Sequence, residues 1–221
     1  MRETAVVPKA TMQRYPLYLK ALRKLSSQNV KRVLSKDLGA LVNIEPTTIR
    51  RDFSFIGCLG KQGYGYDVDH LIDIFTEKLG GGFNEKIVLI GVGNLGRALL
   101  NYNRWDYVIG EIAMAFDIDP QLIGTKPHGV PVYDIRQLEE KIPSDCRIAI
   151  LTASQDAQQV VERLARCGVV GLVDFTHQHI QVPKGMIWKS VDVVTTIQEL
   201  VFEANAARQT RESAGHHTGG K

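Results

Sequence analysis

The chain has 221 residues, of which 44% are apolar and 23% charged, a composition that predicts a folded, soluble protein of one large or two small domains. No run approaches about eighteen apolar residues, and the opening MRETAVVPKATMQRYP lacks the apolar stretch of a secretory leader, so neither a membrane span nor export is expected. The net charge of +3 is unevenly placed: residues 1–62 hold 12 Lys and Arg against 4 Asp and Glu, whereas residues 63–221 hold 15 against 20. Such asymmetry is the footprint of a part that meets polyanions joined to a part that does not.

The first predicted element is a helix, PLYLKALRKLSSQ, with Pro16 in its first turn and Leu19, Leu22 and Leu25 on shared faces. Ser35 is a good N-cap for a second helix, SKDLGALV. After the short link Asn43-Ile44-Glu45, Pro46 opens a third, PTTIRRDFSFIG, closed near Gly57. Two short helices across so tight a turn make a helix-turn-helix. The glycine-rich CLGKQGYGYDV then reads as a hairpin, so the whole predicts a winged helix. One more amphipathic helix, DVDHLIDIFTEKL, leads to Gly80-Gly81-Gly82, where the domain boundary is placed. Residues 1–80 are therefore read as a DNA-binding domain.

Within the third helix, Ile49, Phe53 and Ile56 fall at i, i+4 and i+7 and should bury. The opposite strip carries Thr47, Arg51 and Ser54, flanked by Thr48 and Arg50, and is short, polar and basic, as a recognition helix in a major groove should be. Arg51 is the candidate for a bidentate guanine contact. Arg50, Lys36 and Ser35 are expected to hold phosphates, as is Lys9 at the chain's basic start. Lys61 and Gln62 stand at the wing tip beside Tyr64, placed for a minor groove.

Beyond the glycines the pattern changes to alternating strand and helix. Strands are predicted at KIVLIG, EIAMAF, CRIAILTA and VVGLVDF, with a weaker one near MIWKSVD, and helices at about residues 94–103, 134–142 and 155–167. This rhythm implies an α/β fold, a mostly parallel sheet with helices on both faces, over residues 83–192. A last apolar stripe, Val194, Ile197, Leu200, Val201 and Ala204, keeps helical spacing within residues 193–208, and residues 209–221 read as a disordered tail.

Gly91-Val92-Gly93-Asn94-Leu95-Gly96 follows an apolar strand and precedes a helix, the context that makes a GxGxxG credible as a dinucleotide site. Gly91 permits the tight turn, Gly93 lets backbone approach a pyrophosphate, and Gly96 lets helix and strand pack closely. The helix N-terminus offers free N–H groups to the phosphates. Asp117, at the end of the second strand beside Ile118, is placed to accept hydrogen bonds from ribose hydroxyls and to repel a 2′-phosphate, which favours NAD and NADH over their phosphorylated forms. Asp119 is the weaker candidate.

A dehydrogenase also needs an acid or base beside the nicotinamide and a substrate pocket. His177 and His179 are the only candidate imidazoles, two loop residues with no acidic companion nearby in sequence, so no catalytic residue is assigned and the nucleotide is read rather than consumed. Two other readings stay open: a small NAD-dependent oxidoreductase using one of these histidines, and a DNA-binding regulator that senses another nucleotide such as a coenzyme A derivative. Cys58, Cys146 and Cys167 have no CxxC spacing, which suggests neither disulfides nor a metal site and fits a reducing cytoplasm.

The segments VPKATMQRYPLYLKAL, TIRRDFSFIGCLGKQGYGYDV, IVLIGVGNLGRALLNY and AFDIDP resemble the Rex family of bacterial redox-sensing transcriptional repressors, from about residue 7 to 205. The resemblance implies a homodimer whose winged helices bind palindromic double-stranded operator DNA, with a dinucleotide in each Rossmann domain. It implies that NADH favours a form that leaves DNA while NAD⁺ permits binding, and that the final helix is exchanged between subunits. It makes Arg14, Tyr102 and Asp192 switch contacts, and brings Thr152 and Ala153 to the coenzyme. Three departures stand out: Thr152-Ala153-Ser154 where the family has TVP, Asp174-Phe175-Thr176-His177 for an NFAP-like loop, and Gln62 where arginine is common. The first two fall where the nicotinamide should lie, and raise a divergent paralogue with changed NADH discrimination.

Overall fold

The computed structural model describes residues 7–57, 60, 63–79, 85–101 and 110–216, with side chains to residue 208. The chain divides into two compact units, one within residues 7–79 and one from residue 85 onward.

The first unit packs four helices, α1 (Lys9–Ser27), α2 (Ser35–Val42), α3 (Pro46–Phe55) and α4 (Val68–Lys78), around an aromatic centre. Tyr18, Phe53 and Phe75 are fully buried. Their rings meet edge to face, Tyr18 to Phe53 and Phe53 to Phe75 both at 5.4 Å between centroids, the arrangement that aromatic quadrupoles prefer. α1 begins seven residues before Pro16 and carries the proline inside, against the expectation that Pro16 would start it. Thr11 and Tyr15, both buried, hold the extra turns by tertiary contact, which offsets the N–H that proline lacks. α2 ends on Asn43 at φ 52°, a left-handed conformation that asparagine tolerates. The expected hairpin also differs. Strand β2 (Tyr66–Asp67) pairs antiparallel with β1 (Arg32–Val33), which precedes α2, so the wing is rooted on a segment over thirty residues upstream.

The second unit is a six-stranded parallel sheet. Its strands are β3 (Glu85–Ile90), β4 (Gly110–Asp117), β5 (Val132–Asp134), β6 (Ile148–Leu151), β7 (Gly171–Asp174) and β8 (Ile187–Ser190). Their order across the sheet, β5-β4-β3-β6-β7-β8, is that of a dinucleotide-binding Rossmann fold, with the order of strands, not their direction, reversing between β3 and β6. Val88, Leu89 and Ile90 are buried without alternation, as a central strand covered on both faces requires. Helices α5 (Asn94–Asn101), α6 (Leu138–Lys141) and α7 (Ala157–Arg166) connect the strands.

Strand β5 is not among the predicted elements, and the helix expected at 134–142 shrinks to a 3₁₀ turn at Ile135–Gln137 and the four-residue α6. β5 forms by pairing with β4, and Asp134, at its end, accepts the Arg136 N–H on its carboxylate at 2.8 Å, a local cap that starts the turn. The last helix, α8 (Val193–His216), continues eight residues past the predicted 193–208 span into what reads as a disordered tail, a stretch that contains no proline. All its described side chains are exposed, Leu200 at 64% and Phe202 at 76%. No helix among the described residues is long and apolar enough to cross a membrane.

Candidate nucleotide and nucleic-acid sites

The glycine turn sits at the C-terminal end of β3, at the point where strand order reverses. Gly91 adopts φ +92°, and an added Cβ would stand 2.8 Å from that of Ala153. At Gly96 a Cβ would meet the Gly91 carbonyl oxygen at 2.1 Å, so α5 can approach its strand this closely only with glycine there. Gly93 differs: a Cβ there meets nothing within 4 Å. This bare backbone opens on the space beside the exposed Asn94 and Leu95 at the start of α5, where N–H groups lack helical acceptors. Residues 91–96 thus fit a pyrophosphate, with room over Gly93 and donors from the helix end.

Asp117 closes the turn from β4. Its Oδ2 accepts the Val92 N–H at 2.6 Å, and its Oδ1 accepts those of Ile118 and Asp119 at 2.8 and 2.9 Å. A carboxylate accepts about four hydrogen bonds, so one position remains for an outside donor such as a ribose hydroxyl. Thr152, at the end of β6, directs its hydroxyl to the Gly91 and Ile90 carbonyl oxygens at 2.9 and 3.0 Å. Ala153 joins Gly91, Phe116, Asp117 and Ile118 in lining a cleft of about 130 Å³ that Gln155 and Gln159 also edge. The backbone role of Asp117 and the tie from Thr152 to the turn are absent from the sequence reading, because both join strands distant in the chain.

The departures after β7 resolve into two local arrangements. Asp174 is 1% exposed and accepts from the Thr176 N–H at 2.8 Å, the Thr176 hydroxyl at 2.7 Å and the Trp188 indole at 3.3 Å. Its oxygens are satisfied inside the fold by Thr176 of its own loop and by Trp188 of β8. His177, at φ +56°, has an acidic companion after all: its Nδ1 lies 3.4 Å from Asp192 Oδ1. Asp192 in turn caps α8, accepting from the Thr195 hydroxyl at 2.6 Å and the Thr195 N–H at 2.9 Å. These bonds hold the Asp192 carboxyl below its usual range, and His177 adds to the effect. His179 is exposed.

In the first unit α3 presents the expected strip. Thr47, Arg50, Arg51 and Ser54 are exposed and Thr48 is partly so, while Ile49 and Phe53 are fully buried and Ile56 packs against the core. Two of these side chains are already engaged: Arg50 donates to the Ser35 hydroxyl at 3.1 Å, and Ser54 donates back to the Arg51 carbonyl at 2.6 Å. Lys9 and Lys36 are exposed. Tyr64, 60% exposed, carries the guanidinium of Arg32 over its ring at 4.1 Å, which adds a cation at the wing root that sequence patterning missed. Lys61, Gln62 and Tyr102 lie outside the described residues. Arg14 faces Asp52 of α3, donating from Nε at 2.6 Å and from Nη2 at 2.7 Å.

Comparison with known proteins gives concordant results. Residues 6–54 match the family described as putative DNA-binding protein N-terminus, and residues 83–178 the family described as CoA binding domain. The redox-sensing transcriptional repressor Rex of Anoxybacillus flavithermus is 42% identical over 201 residues, 90% of this chain and 95% of that protein. Rex of Bacillus licheniformis is 42% identical over 89% of this chain and 92% of its own. A crystal structure of RSP in complex with β-NAD⁺ and operator DNA superposes with a TM-score of 0.81 at 30% identity, covering 96% of this chain and 98% of that one. RSP in complex with β-NADH gives a TM-score of 0.80 at 28% identity, over 94% and 98%. At 42% identity over 90% of its length, and with the fold in agreement, the chain belongs to the Rex family of redox-sensing transcriptional repressors.

Proposed function

We propose that the protein binds palindromic operator DNA as a homodimer and leaves it when NADH fills the Rossmann unit, so that repression follows the NADH/NAD⁺ ratio. The observation that carries this reading is the glycine turn, open over Gly93 and braced beneath by Asp117. Residues 91–96 would hold the pyrophosphate, Asp117 and Ile118 the adenosine ribose, and Thr152 and Ala153 the approach to the nicotinamide. The coenzyme supplies a ring whose charge differs between its two oxidation states. The relatives solved with β-NAD⁺ and operator DNA and with β-NADH support the same pairing of ligands. We place this activity in the cytoplasm, where DNA and the coenzyme pool meet.

On the DNA side, Thr47, Thr48, Arg51 and Ser54 read the major groove, and Lys9, Ser35, Lys36 and Arg50 set register on phosphates. Lys61, Gln62 and Tyr64 serve the wing. Half-sites one helical turn apart demand recognition helices about 34–36 Å apart. A coenzyme that prefers another spacing lowers DNA affinity by its differential binding, and DNA weakens that coenzyme reciprocally. Arg14, Tyr102 and Asp192 are the proposed switch contacts. The apolar face of α8, Val193, Val194, Ile197, Leu200 and Val201, each more than half exposed on one chain, favours a helix exchanged with the second subunit.

The description of the matched Rossmann family raises coenzyme A as another occupant, since it shares the ADP half. Asp117 weighs against it, because coenzyme A carries a ribose phosphate that a nearby carboxylate repels. The decisive experiment titrates operator binding against a series of NADH:NAD⁺ ratios at fixed total coenzyme. Affinity should fall steadily as NADH rises. Equal effects of NADH and NAD⁺ would remove redox sensing while leaving the fold intact.

A further inference from the structure

Asp52 lies in α3 between the outward-facing Arg51 and the core residue Phe53, and is fully buried. Its described side-chain donors all come from α1. Thr11 Oγ1 donates at 2.9 Å, Arg14 Nε at 2.6 Å, Arg14 Nη2 at 2.7 Å and Tyr18 OH at 2.6 Å. Burial by itself would push this carboxyl up, but the hydrogen bonds, Arg14's first, bring it below its ordinary value, so it is an anion at neutral pH. Arg14 is steadied by a further bond to Thr11 at 3.3 Å and keeps 23% of its side chain in contact with solvent.

The geometry matters because the other core anchors of α3 are apolar, and the Arg50–Ser35 bond lies at the surface. Ile49 and Phe53 hold the helix in the core, but apolar contact is non-directional and leaves rotation about the helix axis weakly specified. Two parallel N–H···O bonds from a planar guanidinium fix direction as well as distance. A reading side chain must be held within about 0.5 Å and 10–20° of its productive pose. Asp52 sits next to Arg51 in sequence, so any roll of α3 that loosens one displaces the other.

We propose that Asp52 is a positioning residue for operator recognition: clasped by Arg14, Thr11 and Tyr18, it sets the roll of α3 and hence where Thr47 and Arg51 meet the base edges. The proposal rests on reading α3 as the recognition helix. Arg14 and Asp52 then act as a unit, with no contact between Asp52 and DNA.

The test uses the full chain in NAD⁺, with a duplex that the wild-type protein selects from a random-sequence pool and a scrambled duplex of equal length and composition. Asp52→Asn should lower affinity for the selected duplex by about tenfold or more, the scale of a displaced base contact. Affinity for the scrambled duplex should change less than about twofold, with the salt slope kept, since phosphate contacts are untouched. Thr11→Val, which removes one donor of the clasp and lies outside the proposed switch contacts, should shift specificity in the same direction, and the double variant should lose no more than Asp52→Asn alone, because residues in one network are not additive. Tyr18→Phe, which keeps the Arg14 fork, should give a smaller loss in the same direction and serves if Asp52→Asn fails to melt as a folded protein. Equal losses on both duplexes, multiplying losses in the double variant, or an unchanged specificity ratio in Tyr18→Phe would overturn the proposal. Failure of the wild-type protein to select any duplex would instead overturn the reading of α3 as a DNA reader.

Discussion

Gly93→Ala and Gly96→Ala each add one methyl to the same turn, yet the geometry predicts different kinds of damage. At Gly96 the new Cβ would stand 2.1 Å from the Gly91 carbonyl oxygen and 3.0 Å from its carbon. A tolerable C···O approach is about 3.3 Å, so helix and strand must part by about an ångström. Overpacking of this kind costs about 1–3 kcal/mol. At about 2–4 °C per kcal/mol for a chain of this size, Gly96→Ala should lower the melting temperature of the coenzyme-free protein by several degrees. At Gly93 the Cβ meets nothing within 4 Å and the backbone is not left-handed, so the free protein should melt as wild type. If a pyrophosphate lies against that bare backbone, the methyl occupies its place, and NADH affinity should fall by about tenfold or more, about 1.4 kcal/mol. Scanning calorimetry without coenzyme and NADH fluorescence titration separate the two effects. Wild-type NADH affinity in Gly93→Ala would refute the placement of the phosphates.

Leu200→Glu places a charge in the exposed apolar face of α8. It should shift sedimentation from dimer to monomer at micromolar concentration and abolish tight operator binding, since each buried leucine contributes about 1.5–3 kcal/mol; unchanged sedimentation would contradict an exchanged helix. The Asp52 carboxyl titrates lower in the folded chain than its ordinary 3.8, so its contribution is complete above that value and is lost as pH falls through the folded one. The stability gap between wild type and Asp52→Asn should therefore hold constant at neutral pH and close in acid, as urea melts across a pH series would reveal. Burial pushes the Cys146 thiol up to about 11, and the residue is 1% exposed. Iodoacetamide at pH 8 should leave it unmodified in the folded protein and label it once urea unfolds the chain; rapid labelling of the native form would disprove that burial.

What was legible in the sequence is local in the chain. The glycine fingerprint, the apolar run through Ile90, and the period of Ile49, Phe53 and Ile56 each declare themselves within a dozen residues, and each stands where expected. The elements that escaped depend on distant partners. β5 is three residues long and exists because Ala115, Phe116 and Asp117 pair with it. The wing root pairs Arg32 with Asp67. Pro16 sits inside α1 because Thr11 and Tyr15 are held by residues far along the chain. Asp52 did carry a signal: it falls on the apolar face, three residues after Ile49 and four before Ile56, and an acid at such a position needs a cation beside it. Arg14 is that cation, though no spacing rule names it. The same holds for His177, whose companion lies fifteen residues away.

The walls of the cleft beside β3 include three strand ends, at residues 90–91, 116–118 and 153, that meet only once the sheet has assembled. A dinucleotide lodged there would act as a keystone. At a hundredfold its dissociation constant it would add about 2.7 kcal/mol to the folded state by mass action. Shifts of that size alter steady-state abundance several-fold, because degradation draws on the unfolded fraction. Starvation for the coenzyme would thin the population of this protein as well as change what the survivors bind.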